Sequence, residues 1–388
     1  MNEKPASSKA GFFIGGVQHA MRVLLIGATG VFGKRIAARL AHDARFELAL
    51  AGRTLSALER LRGELGDPSV QVAVIDVEAV DLQDTLRSLA PEWVIHAAGP
   101  FQSQDYRVAK ACLACGSDYV DLADGRDFVA GIRALDDEAR AAGRLLISGA
   151  STVPALSSAV VDHLRGRFGA LTSIEHAISP GNRTPRGDAT VAAILGYCGR
   201  PVPVWREGRW QTGYGWLSTR RISFMSGPRW TGLCEVPDLA LFPERYPGVQ
   251  HVVFRAGLEL RRLHFGTWLL AWLVRLGVVK NLARHAPRLR RISEWFLRAG
   301  SDEGGMVVAL QGLDANAKPL SLRWSLHAAA GDGPYIPAMP AVVLARKKAD
   351  GLLQTRGAMP CMGLFDLNEA LAALADYRIS TRLETLTT

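Results

Sequence analysis

The chain has 388 residues, 48% of them hydrophobic and 21% charged, which excludes a wholly disordered chain, a collagen and a coiled-coil rod. At roughly 100–200 residues per domain, two or three domains with sizeable cores are expected. Lys plus Arg outnumber Asp plus Glu by 46 to 37, for a net charge of +9, so an anionic partner is favoured.

Residues 1–20 are Gly/Ser/Ala-rich and aperiodic, without the apolar run of a signal peptide. They predict a flexible leader, and a cytoplasmic location is expected. RVLLI (22–26) is a continuous apolar run, the pattern of a parallel strand buried on both faces. GATGVFG (27–33) follows and opens a helix. Further strands are predicted over 46–51, 70–77, 93–99, 118–123 and 144–149, with helical segments between them, one of them over 104–115. That alternation predicts an α/β fold with a doubly wound parallel sheet over 21–150. Cys112 and Cys115 form a lone CxxC in a helical stretch; with no second pair, no metal site is expected.

The rhythm changes after residue 150. A strand at 171–179, a helix at GDATVAAILGYCG, short strands over 203–235 and a hairpin over 306–329 predict a mainly antiparallel α+β domain across 151–335. Helices at PAMPAVVLARKKA and LNEALAALA fill 336–388 and return to the first domain. LHFGTWLLAWLVRLGVV (263–279) is the most apolar segment, too short and interrupted for a spanning helix of about 20 apolar residues. It predicts a buried or dimer-interface helix, or else an interfacial membrane helix. Basic residues crowd the same region (Arg261, Arg262, Arg275, Lys280, Arg284, Arg288), so peripheral membrane contact through 263–298 is the second reading. No helix-turn-helix, zinc-finger or RNP-type motif accompanies them, and no nucleic-acid partner is expected.

The glycine turn carries the strongest chemical signal. Gly27, Gly30 and Gly33 have the spacing that permits a tight turn, close approach to a pyrophosphate and close helix–strand packing. Thr29, Val31 and Phe32 complete a loop that would offer helix N-terminal N–H groups to the phosphates. At the end of the second strand an NAD site has an acidic residue, whereas this chain has Arg53 and Thr54. A guanidinium there would meet a 2′-phosphate, so NADP is preferred over NAD; a solvated surface arginine is the alternative. Asp76 is placed to accept from the adenine amino group, or to cap the next segment. Ala98, Gly99 and Pro100 leave room for the nicotinamide ribose.

GATGVFG, the AGR at 51–53, HAAGPF at 96–101, ACLACGSDYVDLAD at 111–124 and GDGPYIPAMPAV together resemble the saccharopine dehydrogenase-like family, most specifically over 21–155. The resemblance implies a Rossmann domain, an inserted α+β domain with substrate and dimer contacts, and hence a homodimer. It also implies hydride transfer from NADPH to an imine, carbonyl or enoyl substrate. The family's amino-acid enzymes carry Leu-Asp-Pro-Gly after the sixth strand, where this chain has Thr152-Val153-Pro154-Ala155, and Phe101 stands where some have tyrosine. Those departures point away from saccharopine itself, and the apolar middle region suits a larger, apolar small-molecule substrate instead.

Candidates for the proton donor are few. Asp121 and Asp124 end the fifth strand near the expected nicotinamide; Asp124 is the better relay, with an Asp-Gly turn as its alternative. Tyr106 and Lys110 form a Tyr-x-x-x-Lys that comes early in the fold for an acid role. His96 is expected as a satisfied core histidine. Arg183, Arg186, Arg220 and Arg221 are candidates for an anionic substrate group, or solvated surface residues. The sequence thus predicts an NADP-dependent oxidoreductase, with a non-catalytic NADP sensor or scaffold as the alternative.

Overall fold

The structure, a computed structural model, describes residues 19–102, 104–185 and 187–386. The expected leader therefore lies almost wholly outside the described residues, as does Arg186.

Strands and helices alternate from the start: β1 (Met21–Ile26), α1 (Val31–Leu40), β2 (Phe46–Gly52), α2 (Leu55–Leu65), β3 (Gln71–Val74), α3 (Leu82–Leu89), β4 (Trp93–His96), α4 (Arg107–Cys115), β5 (Asp118–Asp121), α5 (Arg126–Gly131), α6 (Asp136–Ala141) and β6 (Leu145–Ser148). β1 and β2 each gain one residue over their apolar runs, whereas β3, β4, β5 and β6 are shorter than theirs. The excess residues, such as 97–99 and 122–123, leave the ladder and become loops at the carboxyl edge of the sheet. Every neighbour in this sheet runs parallel, as β1 does with β2 and with β4. Strand order turns back on itself between β1 and β4, and at that reversal ligands collect in open α/β sheets.

The second half comprises α7 (Ser157–Arg165), β7 (Ala170–Ser179), α8 (Asp188–Tyr197), β8 (Pro201–Arg206), β9 (Arg209–Tyr214), β10 (Arg220–Phe224), β11 (Gly227–Leu233), α9 (Asp238–Arg245), β12 (His251–Gly257), α10 (Arg261–Arg275), α11 (Ala286–Glu294), β13 (Gly304–Leu313) and β14 (Pro319–Ala328). It closes with α12 (Met339–Ala349), β15 (Gly357–Pro360), α13 (Leu367–Ala373) and β16 (Ile379–Thr385). A nine-stranded sheet runs β10-β11-β12-β7-β13-β14-β16, with β8 and β9 attached beside β12. It is mixed: β12 pairs with β7 in parallel, while β13 pairs with β7 and β14 antiparallel.

The segment 336–388 does more than supply helices. It gives β15 to the first sheet beside β6, completing seven strands, and β16 to the second sheet beside β14. One apolar cluster runs through both sheets, from Leu25 and Ile36 through Val160 of α7 and Leu344 of α12 to Val308 and Leu322. The opposite face of the first sheet is covered by Leu86 of α3, Cys112 of α4 and Ala139 of α6. Helices on both faces explain why the strands read as continuous apolar runs.

A buried polar cluster pins α7 to the second sheet. Ser157 donates to the Asp238 carboxyl group, and the His176 imidazole lies 3.2 Å from the same carboxyl. All three are buried, with the His176 ring tilted against Phe242 and Phe254. The aspartate bridges serine and histidine, the reverse of a hydrolytic arrangement in which histidine contacts the serine. Truncating Asp238 leaves Ser157 Oγ with only the Pro154 carbonyl at 3.1 Å and takes the carboxylate neighbour from the buried His176 ring. Asp238→Ala is expected to destabilise the fold by about 3 kcal/mol and Asp238→Asn by less, read from denaturant midpoints; equal small losses for both would contradict the pin.

Candidate functional site: a glycine turn and an adjoining polar cluster

β1 ends at Ile26 and the chain turns over the sheet's carboxyl edge. Gly27 has φ +81°, a left-handed conformation that disfavours any Cβ, and a Cβ there would lie 2.8 Å from Ala97 C and Ala98 N. A Cβ at Gly33 would stand 2.2 Å from the Gly27 oxygen, so the turn and α1 pack backbone to backbone. The N–H groups of Gly27 and Ala28 donate to the Ala51 carbonyl at 2.9 and 3.1 Å, tying the turn to the end of β2.

Gly30 is the N-cap of α1. No side chain caps it and no acidic residue occupies the first turn. First-turn N–H groups and the positive end of the helix dipole are therefore free for an anion, as a dinucleotide pyrophosphate requires. Thr29 faces Gly52, its Oγ1 3.9 Å from where a Cβ would stand. The Val31 carbonyl accepts from Arg35 Nη1 at 2.6 Å, and Phe32 packs half-buried against the core.

Beyond β2, Arg53 is exposed, and its guanidinium has no hydrogen bond or ion pair among the described residues. Thr54 is the N-cap of α2 but its hydroxyl makes no capping bond. β3 stops at Val74, which places Asp76 in the loop beyond it. There Asp76 Oδ1 accepts the Glu78 N–H at 3.0 Å, the capping role, while Oδ2 has no partner among the described residues. Gln104 Nε2 donates to the carbonyls of Ala98 (2.8 Å) and Pro100 (3.0 Å), holding the loop of Ala98, Gly99 and Pro100 beside the glycine turn.

The two aspartates after β5 have different fates. Asp121 is sealed in, accepting from the N–H groups of Ala123 and Gly149 and from Ser148 Oγ at 2.8–3.0 Å. Burial raises its pKa to about 6 against those hydrogen bonds. It staples β5 to β6 and has no path to a ligand. Asp124 is solvent-exposed. Desolvation by the surrounding protein raises its pKa, opposed by the 2.9 Å hydrogen bond from Gln102 Nε2. Its charge also reaches Tyr197 and Cys234, which hydrogen-bond to each other and are raised in pKa mainly by burial.

Arg126 stands two residues on, at the start of α5, with a side chain only 10% exposed. Its Nη1 donates to the Pro203 carbonyl at 2.7 Å and lies 3.9 Å from Glu235, and its guanidinium stacks 5.1 Å from the Trp210 ring. Arg126 thus bridges the first sheet's carboxyl edge to the second half, where Glu235 lies beside it and Tyr197 and Cys234 lie within reach of the Asp124 charge. Arg126 sits in the same Asp-Gly-Arg turn as Asp124, a sequence clue. Tyr197 and Cys234 gave none, because only long-range packing brings them together.

Tyr106 donates its phenol proton to the Phe128 carbonyl at 2.6 Å, and burial lifts its pKa to about 12. His96 is buried, its Nδ1 3.1 Å from Tyr119 Oη and its ring edge-on to Phe101; burial lowers its pKa to about 4, so it is a neutral core residue. Arg220 is paired with Glu175 at 2.6 Å. Arg221 lines a separate hollow with Arg229, Trp230 and Arg261, and Arg183 is exposed.

Comparison with known proteins is strongest over the first sheet. Residues 23–147 match the family model described as the saccharopine dehydrogenase NADP binding domain. A trans-acting enoyl reductase of Mycobacterium tuberculosis is 34% identical over 103 residues, 26% of this chain and 24% of that one. Carboxyaminopropylagmatine dehydrogenase of Synechocystis sp. is 32% identical over 105 residues, 26% of each chain. The alignments therefore span about a quarter of each relative. Apo saccharopine dehydrogenase (L-Glu forming) of Saccharomyces cerevisiae superposes with a TM-score of 0.67 over 95% of this chain and all of that one, at 13% identity, a likeness of fold.

Proposed function

With residues 23–147 matching a saccharopine dehydrogenase-type NADP-binding domain, we propose that this chain is an NADPH-dependent oxidoreductase that reduces a C=N, C=O or C=C bond of a small, largely apolar molecule. The observation that carries the reading is the Arg53 guanidinium at the end of β2, without a partner among the described residues, beside an uncapped glycine turn. The comparisons support a nucleotide cofactor; its identity as NADPH, and the roles below, belong to this proposal.

NADPH, when bound, supplies the hydride. Gly27, Gly30, Val31, Phe32 and Gly33, with Thr29, hold the pyrophosphate on the end of α1. Arg53 and Thr54 take the 2′-phosphate, Asp76 turns its free oxygen to the adenine amino group, and Ala98, Gly99 and Pro100 bound the nicotinamide ribose. Asp124 delivers the proton that balances the hydride, and water on its open side restores it. A pKa raised by burial suits that task, since the acid form persists to higher pH than in a free carboxyl group. In this division of labour residues 21–150 hold the coenzyme and 151–335 shape the substrate side.

Consumption of NADPH against a panel of amine–aldehyde pairs, ketones and enoyl thioesters tests the proposal. Turnover of at least one class is expected. Coenzyme binding with no turnover of any class would favour a sensing or scaffolding role instead.

A further inference from the structure

We propose that the outward face of α10, the loop after it and α11 docks on the surface of an anionic lipid bilayer. The inference stands apart from the oxidoreductase reading and uses none of its residues.

α10 contains the most apolar stretch of the chain, yet it buries only part of it. Its inward residues Leu270, Ala271 and Val274 join Leu282, Ala286 and Leu289 in one cluster against α8. The outward stripe is Arg262, Gly266, Leu269, Trp272 and Leu276, at helical spacing of three and four. Leu276 and Val278 are 68% and 69% exposed, and Trp295, just beyond α11, is 77% exposed. A ladder of rings, Trp230–Phe265–Trp268–Trp272, runs along α10 with centroids 5.5, 6.4 and 6.2 Å apart. Because α10 and α11 bury their inner sides in the same cluster, both turn these side chains outward. Apolar groups gathered in this way mark an interaction surface.

Charge selects the occupant. Exposed Arg262, Lys280, Arg284, Arg288, Arg291 and Arg298 lie in the same segment as the exposed apolar side chains, and none has a carboxylate partner among the described residues. Between 261 and 298 Glu294 is the single acidic residue, and it is paired with Arg290. A second copy laid on this face would oppose cations to cations. An anionic headgroup layer neutralises them while its acyl boundary takes Trp and Leu, the side chains that partition there. Protruding side chains on two helices suit a deformable surface that needs no shape-matched partner. No helix among the described residues is long and apolar enough to cross a membrane, so the contact is a surface one.

The test is flotation of the full chain with phosphatidylcholine vesicles, with and without phosphatidylglycerol, alongside tryptophan emission. Binding about tenfold stronger to the anionic vesicles, a blue shift, and weakening by salt are expected. The double variants Leu269→Gln/Leu276→Gln and Arg288→Gln/Arg291→Gln should each lose about tenfold while keeping the melting midpoint, because both alter exposed residues. Failure to bind either vesicle, or unchanged binding by both double variants, would overturn the inference. So would self-association without vesicle binding that both variants abolish, which would assign the face to a second copy.

Discussion

Replacing Arg53 with Gln is expected to weaken NADPH binding by about ten- to a hundredfold and to leave NADH binding within about twofold. A hydrogen bond to a charged group contributes roughly 1.5–3 kcal/mol, and an exposed one falls at the low end because salt and water screen it. The structure gives the guanidinium no competing partner among the described residues, so its loss breaks nothing else in the fold. Calorimetric titration of both coenzymes separates the outcomes. Equal losses for NADPH and NADH would mean that Arg53 does not read the 2′-phosphate.

Asp124→Asn is expected to lower kcat/KM by about 10²–10⁴ while NADPH affinity stays unchanged. The amide keeps the shape of the side chain and a hydrogen-bonding oxygen for Gln102, but it has no proton of comparable acidity to give. The pH profile carries the sign. Burial raises the Asp124 pKa, so the acid form prevails below it, and wild-type activity should fall as pH rises through it. The residual activity of the variant should lack that limb. A merely structural aspartate would change the melting midpoint and leave the shape of the profile alone.

The first sheet was readable because central strands such as β4 and β6 are buried along their whole length and write themselves as apolar runs. The glycine turn was readable because backbone geometry admits few alternatives: a Cβ at Gly33 would stand 2.2 Å from the Gly27 oxygen. β15 escaped the reading because Gly357–Pro360 is four residues long and ends in proline. Tyr197 and Cys234 escaped it because they come within reach of the Asp124 charge only through the packing of the two halves. The same holds for Ser157, His176 and Asp238, which lie on α7, β7 and α9 and converge through packing alone. Periodicity over 263–279 announced an apolar helix without saying what covers it, and in the structure Leu269, Trp272 and Leu276 stand exposed.

The central claim is that a cation without a carboxylate neighbour chooses the coenzyme at the end of β2. Side-by-side calorimetry of the unmodified chain with NADPH and NADH addresses it most directly. The account predicts NADPH binding at least about tenfold tighter, the value of one charge-assisted contact. Equal or tighter binding of NADH, or no heat with either coenzyme, would contradict it.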